Sequence, residues 1–175
     1  MENTEALPKF KYHPNLYKTG IVNFNRGICQ CCGKEVTAFI SSMYSRENIR
    51  CICLDCVADG SAARKFDGTF IQDVEEPVGD PARTDELLHR TPGYISWQGE
   101  YWLTCCDDYC EFIGDVGTED LEKMGIADEV FRDYCEKADV EPDEIRDYLE
   151  PAGSCAGYLF RCCHCGKYRI WSDCD

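Results

Sequence analysis

Long apolar runs are missing from this chain. None reaches the roughly 18 residues that a membrane-spanning helix needs, so no membrane association is expected. The opening stretch, MENTEALPKFKYHPN, has no apolar h-region and no small-residue cleavage site, so export by a signal peptide is not expected either. Histidine is scarce, with three residues. His13 precedes a proline, His89 falls where a helix should end, and His164 lies between two cysteines and is expected to be exposed, not ligating. No Ser–His–Asp spacing, nucleophile elbow or strand–glycine–helix phosphate loop occurs, and no catalytic residues are assigned.

Positive charge is also short. There are 18 Lys and Arg against 33 Asp and Glu, a formal net charge of −15. The imbalance is local: residues 1–70 carry +2, residues 71–160 carry −18, and the last fifteen carry +1. A chain this acidic repels phosphate backbones, so nucleic acid is an unlikely partner and a basic protein a better one. Acidity of this kind also simply keeps a protein soluble, with no partner needed.

What is abundant is cysteine, with 15 in 175 residues. An odd count cannot close wholly into intramolecular disulfides. With no export signal expected, a reduced, cytoplasmic, metal-binding chain is the expectation. The phrase CQCCGKE at 29–35 is nearly repeated as CCHCGK at 162–167. Each holds a C-x2-C pair followed by glycine, the turn of a zinc knuckle, in which two thiolates lie on one side and backbone N–H groups point at sulfur. Cys29 and Cys32, with Cys53 and Cys56 twenty residues on, make C-x2-C-x20-C-x2-C. That spacing reads as a four-cysteine structural zinc site, with sulfur about 2.3 Å from the ion and no open position. Cys31 and Cys51 would break the two-residue spacing and are read as packing residues.

Cys162 and Cys165 need a second pair, and CCDDYC at 105–110 is the densest source. Cys106 with Cys110 is an allowed C-x3-C, giving a second zinc site of Cys106, Cys110, Cys162 and Cys165. If the YWLTC strand continues, alternation turns Cys105 to the other face. Whether Cys105 or Cys106 completes the site stays open. Asp107 and Asp108 are adjacent and so poorly placed to act as an acid–base pair.

The fold expected is α+β: small antiparallel sheet regions carrying two zinc knuckles, with an acidic helical insertion between them. Thr84 reads as the N-cap of a helix closed by His89 and Arg90. GYISWQGEYWLTCC reads as a hairpin turning near Gln98-Gly99. TEDLEKMGI, ADEVFRDYCEKA and EPDEIRDYLE read as three helices, the second most clearly. GYLFRCCHCGKYRIWSD reads as two strands around the second knuckle.

LPKFKYHPNLYKTG, CLDCVADGSAARKFDGTF, HRTPGYISWQGEYWLTCC and RCCHCGK together resemble the CbrC family of small cysteine-rich bacterial proteins, whose name is tied to tolerance of a colicin. The resemblance implies one domain over 1–175: a zinc-binding part (7–70), an acidic hairpin and helical part (71–160), and a knuckle at 161–175 completing the second site. It carries over Cys29, Cys32, Cys53, Cys56, Cys162 and Cys165, and no catalytic residues. The function expected is that of a zinc-stabilised immunity or tolerance factor, not an enzyme, that neutralises a basic toxin, in the first place a nuclease. Residues 107–150, with four basic and seventeen acidic side chains, would be its contact face, anchored by Tyr109, Phe131, Tyr134 and Tyr148. The alternative is a thiol-dependent enzyme or redox protein using the surplus Cys31, Cys51, Cys105, Cys135, Cys155, Cys163 and Cys174.

Overall fold

A computed structural model describes residues 7–174. It is α+β, with short antiparallel sheets and six helices. The chain divides into two compact units, 1–72 with 81–94 and 73–80 with 95–175, a partition that cuts across the three stretches read from the sequence. Among the described residues no helix is long and apolar enough to cross a membrane.

The first unit has little regular structure. Its strands are two residues long: β1 (Gly27–Ile28) pairs with β2 (Glu35–Val36), and β3 (Phe39–Ile40) with β4 (Ile52–Cys53), both antiparallel. Two short helices follow, α1 (Leu54–Ala58) and α2 (Ser61–Phe66). They are one helical stretch interrupted by Gly60, whose φ of +72° ends the first and whose missing side chain leaves room for Arg64 and Arg90. The third helix, α3 (Pro81–Arg90), begins three residues before the Thr84 expected as its cap. Proline at a first helical position loses no hydrogen bond, so Pro81 starts this helix ahead of the expected cap. Leu16, Ile40, Ile52, Leu54, Val57 and Phe70 form the core. His13 is buried in the same unit, with Nδ1 against the Pro92 carbonyl at 3.0 Å and Nε2 against Thr19 Oγ1 at 3.3 Å.

The second unit is built on a real sheet. The strands β5 (Asp73–Val74), β6 (Tyr101–Trp102), β7 (Thr104–Cys105) and β8 (Asp108–Tyr109) are short. Three longer ones, β9 (Glu111–Val116), β10 (Cys155–Arg161) and β11 (Tyr168–Cys174), form an antiparallel sheet with β10 in the centre. Between β9 and β10 run α4 (Thr118–Lys123), α5 (Ala127–Ala138) and α6 (Pro142–Arg146). Helix α5 spans ADEVFRDYCEKA, and its stripe of Ala127, Val130, Phe131 and Cys135 is buried while Asp128, Glu129 and Glu136 face solvent. Trp102, Phe112 and Phe160 pack as tilted and edge-on rings 5.4–6.2 Å apart, a further apolar centre in this unit.

The hairpin expected near Gln98-Gly99 is not formed. The Asp173 carboxylate accepts the backbone N–H groups of Trp97 and Gln98, both at 3.1 Å, and so holds the segment that the first arm would have used. Tyr101–Trp102 pairs instead with Asp73–Val74, and in parallel. Arg169 on β11 is 4% exposed in its side chain. It donates to Asp133 (2.9 Å), to both Glu75 carboxylate oxygens (2.6 and 2.8 Å) and to the Thr104 carbonyl. Burial works to raise the Glu75 carboxyl, but Arg169, the Thr104 N–H and Lys137 outweigh it and hold the group down at about 2.

Candidate metal centres

Each knuckle is a hairpin loop with the same backbone wiring. In the first, Cys29 N–H donates to the Lys34 carbonyl (2.9 Å) and Gly33 N–H to that of Cys29 (2.8 Å). In the second, Cys162 N–H donates to Lys167 (2.9 Å) and Gly166 N–H to Cys162 (3.1 Å). Gly33 and Gly166 have φ of +76° and +74°, the left-handed conformation that closes so tight a loop and that favours glycine. β1 and β2 flank the first loop, and β10 and β11 the second.

The Sγ atoms of Cys29, Cys32, Cys53 and Cys56 all lie within 4.8 Å of one another. Cys53 is the N-cap of α1 and Cys56 lies one turn in, so the helix start supplies the second pair. Cys53 N–H donates to Cys29 Sγ at 3.2 Å. Burial alone would raise the Cys29 thiol, but the backbone N–H groups of Cys53, Cys32 and Cys31 outweigh it and bring it down to about 7. Its neighbours go the other way: burial pushes Cys53 up to about 12, and Cys56 is raised by the same cause. Apart from an ion, the group therefore holds one thiolate readily and resists more. A divalent cation held at the centre would replace the remaining protons, which would couple its binding to pH.

Cys31 and Cys51 stay outside the group, as expected. Cys31 Sγ lies 3.6 Å from Ser61 Oγ, and Cys51 is buried with its N–H donating to the Gln30 side chain. Lys65 Nζ clamps the loop from outside through the carbonyls of Gln30 (2.9 Å) and Cys31 (2.7 Å).

The second group is Cys105, Cys106, Cys162 and Cys165, again with all sulfurs within 4.8 Å. Cys110, expected as a ligand, does not join it. Its side chain is turned into the core with no exposure, and burial raises its thiol strongly. Strand alternation was a poor guide because the chain reverses at Cys106 and Asp107, whose φ values are +55° and +54°. Two left-handed residues in a row make the tight turn between β7 and β8, and the reversal sets Cys105 and Cys106 side by side, 3.8 Å apart at sulfur. Left-handed φ costs a non-glycine residue on the order of 1–3 kcal/mol, and here it serves to aim a sulfur. Cys162 Sγ accepts from the N–H groups of His164 and Cys165, both at 3.4 Å. Burial would raise this thiol; those N–H groups prevail and draw it down to about 6.

The S···S distances carry geometric information. Cys32–Cys53, Cys105–Cys106 and Cys105–Cys165 are each 3.8 Å. A tetrahedron with sulfur about 2.3 Å from its centre has an edge of about 3.8 Å, which these three separations match, while the other sulfur pairs of each group lie within 4.8 Å. Among the described residues no other group of three or more His, Cys, Asp or Glu side chains comes together in this way.

The remaining sequence candidates have partners outside the two sulfur groups. Asp107 accepts from the Gly79 N–H (2.8 Å), and buried Asp108 pairs with His164 Nε2 (2.8 Å) and the Tyr109 N–H. His164 is half-exposed and lies outside both sulfur groups. Cys155 and Cys174, read as surplus thiols, face each other across β10 and β11 and are bridged.

The chain matches, over residues 7–174, a family described as "Uncharacterised protein family (UPF0167)". It belongs to the UPF0167 family. It is 38% identical to the UPF0167 protein PA1536 of Pseudomonas aeruginosa over 169 residues, 92% of this chain and 93% of that one. It is 34% identical to the UPF0167 proteins Mb2317 of Mycobacterium bovis and MT2352 of Mycobacterium tuberculosis, over 97% of this chain and 94% of each of theirs. No solved structure matches. These matches carry the UPF0167 name and not that of the CbrC family, so the resemblance drawn from the sequence is corrected, and the link to colicin tolerance that it supplied goes with it.

Proposed function

We propose that this UPF0167 protein is a zinc-stabilised cytoplasmic binding protein that presents an acidic helical face to a basic protein. The observation that carries the metal half is the pair of four-sulfur groups, each gathered within 4.8 Å and each with an S···S separation of 3.8 Å. Four thiolates favour zinc over hard ions, leave no position for substrate, and hold structure. Eight cysteines left unbridged in these two groups also call for a reducing compartment, which supports the cytoplasm.

The binding half rests on the second unit. Among the described residues between Asp115 and Glu150, eleven carboxylates are exposed on and around α4–α6, with exposed Tyr148 among them. Of the anchors read from the sequence, Tyr109 and Phe131 are core residues and Tyr134 is half-buried, which leaves Tyr148, 68% exposed, as the accessible aromatic. Such a face steers a cationic partner in and gives an aromatic anchor something to hold. Nuclease toxins, which carry positive charge to grip polyanions, are the partner class that we propose for it.

The test mixes zinc-loaded protein with a purified basic nuclease domain. Binding should weaken steeply with salt, and the charge reversal Glu122→Lys, Glu129→Lys, Glu136→Lys should reduce affinity roughly tenfold or more. No binding at low salt, with the nuclease still active, refutes the partner reading. One observation favours the redox alternative, the Cys155–Cys174 bridge. Thiol titration with metal retained separates the two: a redox protein shows a fast-reacting pair and a structural one does not.

A further inference from the structure

The two sulfur groups differ in what surrounds them. In the first, Cys29, Cys53 and Cys56 are buried and only Cys32 is exposed. In the second, only Cys162 is buried; Cys105 is half-buried, and Cys106 and Cys165 are exposed. Ions leave thiolate shells by stepwise replacement of one sulfur at a time, and an incoming ligand must reach the sulfur or the ion to begin. The second shell offers that approach over much of its surface.

The scaffolds differ as well. The first site sits among two-residue strands and helices of five and six residues, so less regular structure frames it. The second site is held in place by contacts that do not involve its ion. Its knuckle loop is fixed to β8 by His164 on Asp108 (2.8 Å) and by Cys163 Sγ on the Tyr109 carbonyl (3.4 Å). Its other half is fixed by the Arg169 contact to the Thr104 carbonyl and by Cys110 N–H on that of Leu103 (2.9 Å). The loop itself hangs from two seven-residue strands paired along their whole length.

We infer that the Cys105–Cys106–Cys162–Cys165 group is an exchange site, which releases and takes up thiophilic divalent ions such as zinc and cadmium while the protein stays folded, and that the Cys29 group is permanent. This rests on the zinc reading above and adds to it a division between the two sites.

The experiment starts from protein whose metal content has been measured. Zinc-loaded protein is challenged with the chromogenic chelator 4-(2-pyridylazo)resorcinol, and release is followed by absorbance alongside tryptophan fluorescence. All three tryptophans, Trp97, Trp102 and Trp171, belong to the second unit, so their emission reports its fold. One equivalent should leave roughly ten times faster than the other, or more, with emission unchanged. Cys106→Ser, at an exposed position, should accelerate or abolish the fast equivalent and leave the slow one alone. Cadmium added in one equivalent should displace the fast zinc, read by its thiolate absorption band. A starting content below two zinc per chain overturns the zinc reading and this inference together. Two zinc leaving at one rate, a fast phase untouched by Cys106→Ser, or a fast phase accompanied by unfolding of the second unit overturns this inference alone.

Discussion

Replacing Arg169 with methionine tests whether the second unit stands on its buried ion network. The guanidinium joins Glu75 and Asp133, whose side chains are 15% and 11% exposed, and it caps the Thr104 carbonyl. Methionine keeps the apolar stem and removes every donor. Two poorly hydrated carboxylates then lose their main partner, and breaking a buried pair from one side costs about 3–5 kcal/mol. Glu75 retains Lys137 at 3.1 Å and Asp133 retains Lys167, so the lower end applies. The expected loss is about 3 kcal/mol, which at a urea slope of about 1.5 kcal/mol/M moves the midpoint down by about 2 M. Urea titration of zinc-loaded protein, followed by tryptophan emission, reads the second unit without the first. Adding Glu75→Gln and Asp133→Asn should recover part of the loss, because neutral amides need no counter-charge. A midpoint shift under about 0.5 M would mean that the network is solvated, and the reasoning from burial would fail.

Two further outcomes follow from single side chains. Cys110→Ser puts a hydroxyl where a thiol lies in the core, which should cost about 1–3 kcal/mol while zinc stays at two per chain; a drop to one zinc would return Cys110 to the ligand set. His13 is buried, and desolvation lowers it from 6.5 to about 4, so it is neutral in the folded protein at pH 5.5. The unfolded chain binds this proton first as pH falls, so stability present above about 6.5 is lost on the way down to about 4, roughly 3 kcal/mol in all. Ring proton NMR checks it directly: a His13 midpoint near 6.5 refutes the assignment.

Local pattern carried much of the sequence reading. Helix α5 was legible because Val130, Phe131 and Cys135 recur at helical spacing with charge between them. The first sulfur group was legible because both of its pairs keep two-residue spacing, so each lies on one turn. What was not legible depended on the chain meeting itself. The Gln98-Gly99 hairpin failed because Asp173, some 75 residues away, captures that segment. The second ligand set was misread at Cys110 because a turn of two left-handed non-glycine residues leaves no mark in composition. The start of α3 was placed at Thr84 and not at Pro81 because proline signals both a loop and a first helical turn.

The two knuckles also differ in their middle residues, and there each loop identifies its own counterpart. The Gln30 side chain accepts the N–H groups of Arg50 and Cys51 and donates to the Asn48 carbonyl, while its neighbour Cys31 meets Ser61. In the later loop Cys163 and His164 fill the equivalent places and reach Tyr109 and Asp108. Sulfur and glycine make the two loops interchangeable as ion holders; the pair between the cysteines works as an address. Each loop thereby meets its own mate, and not the other's, through contacts that need no ion at all.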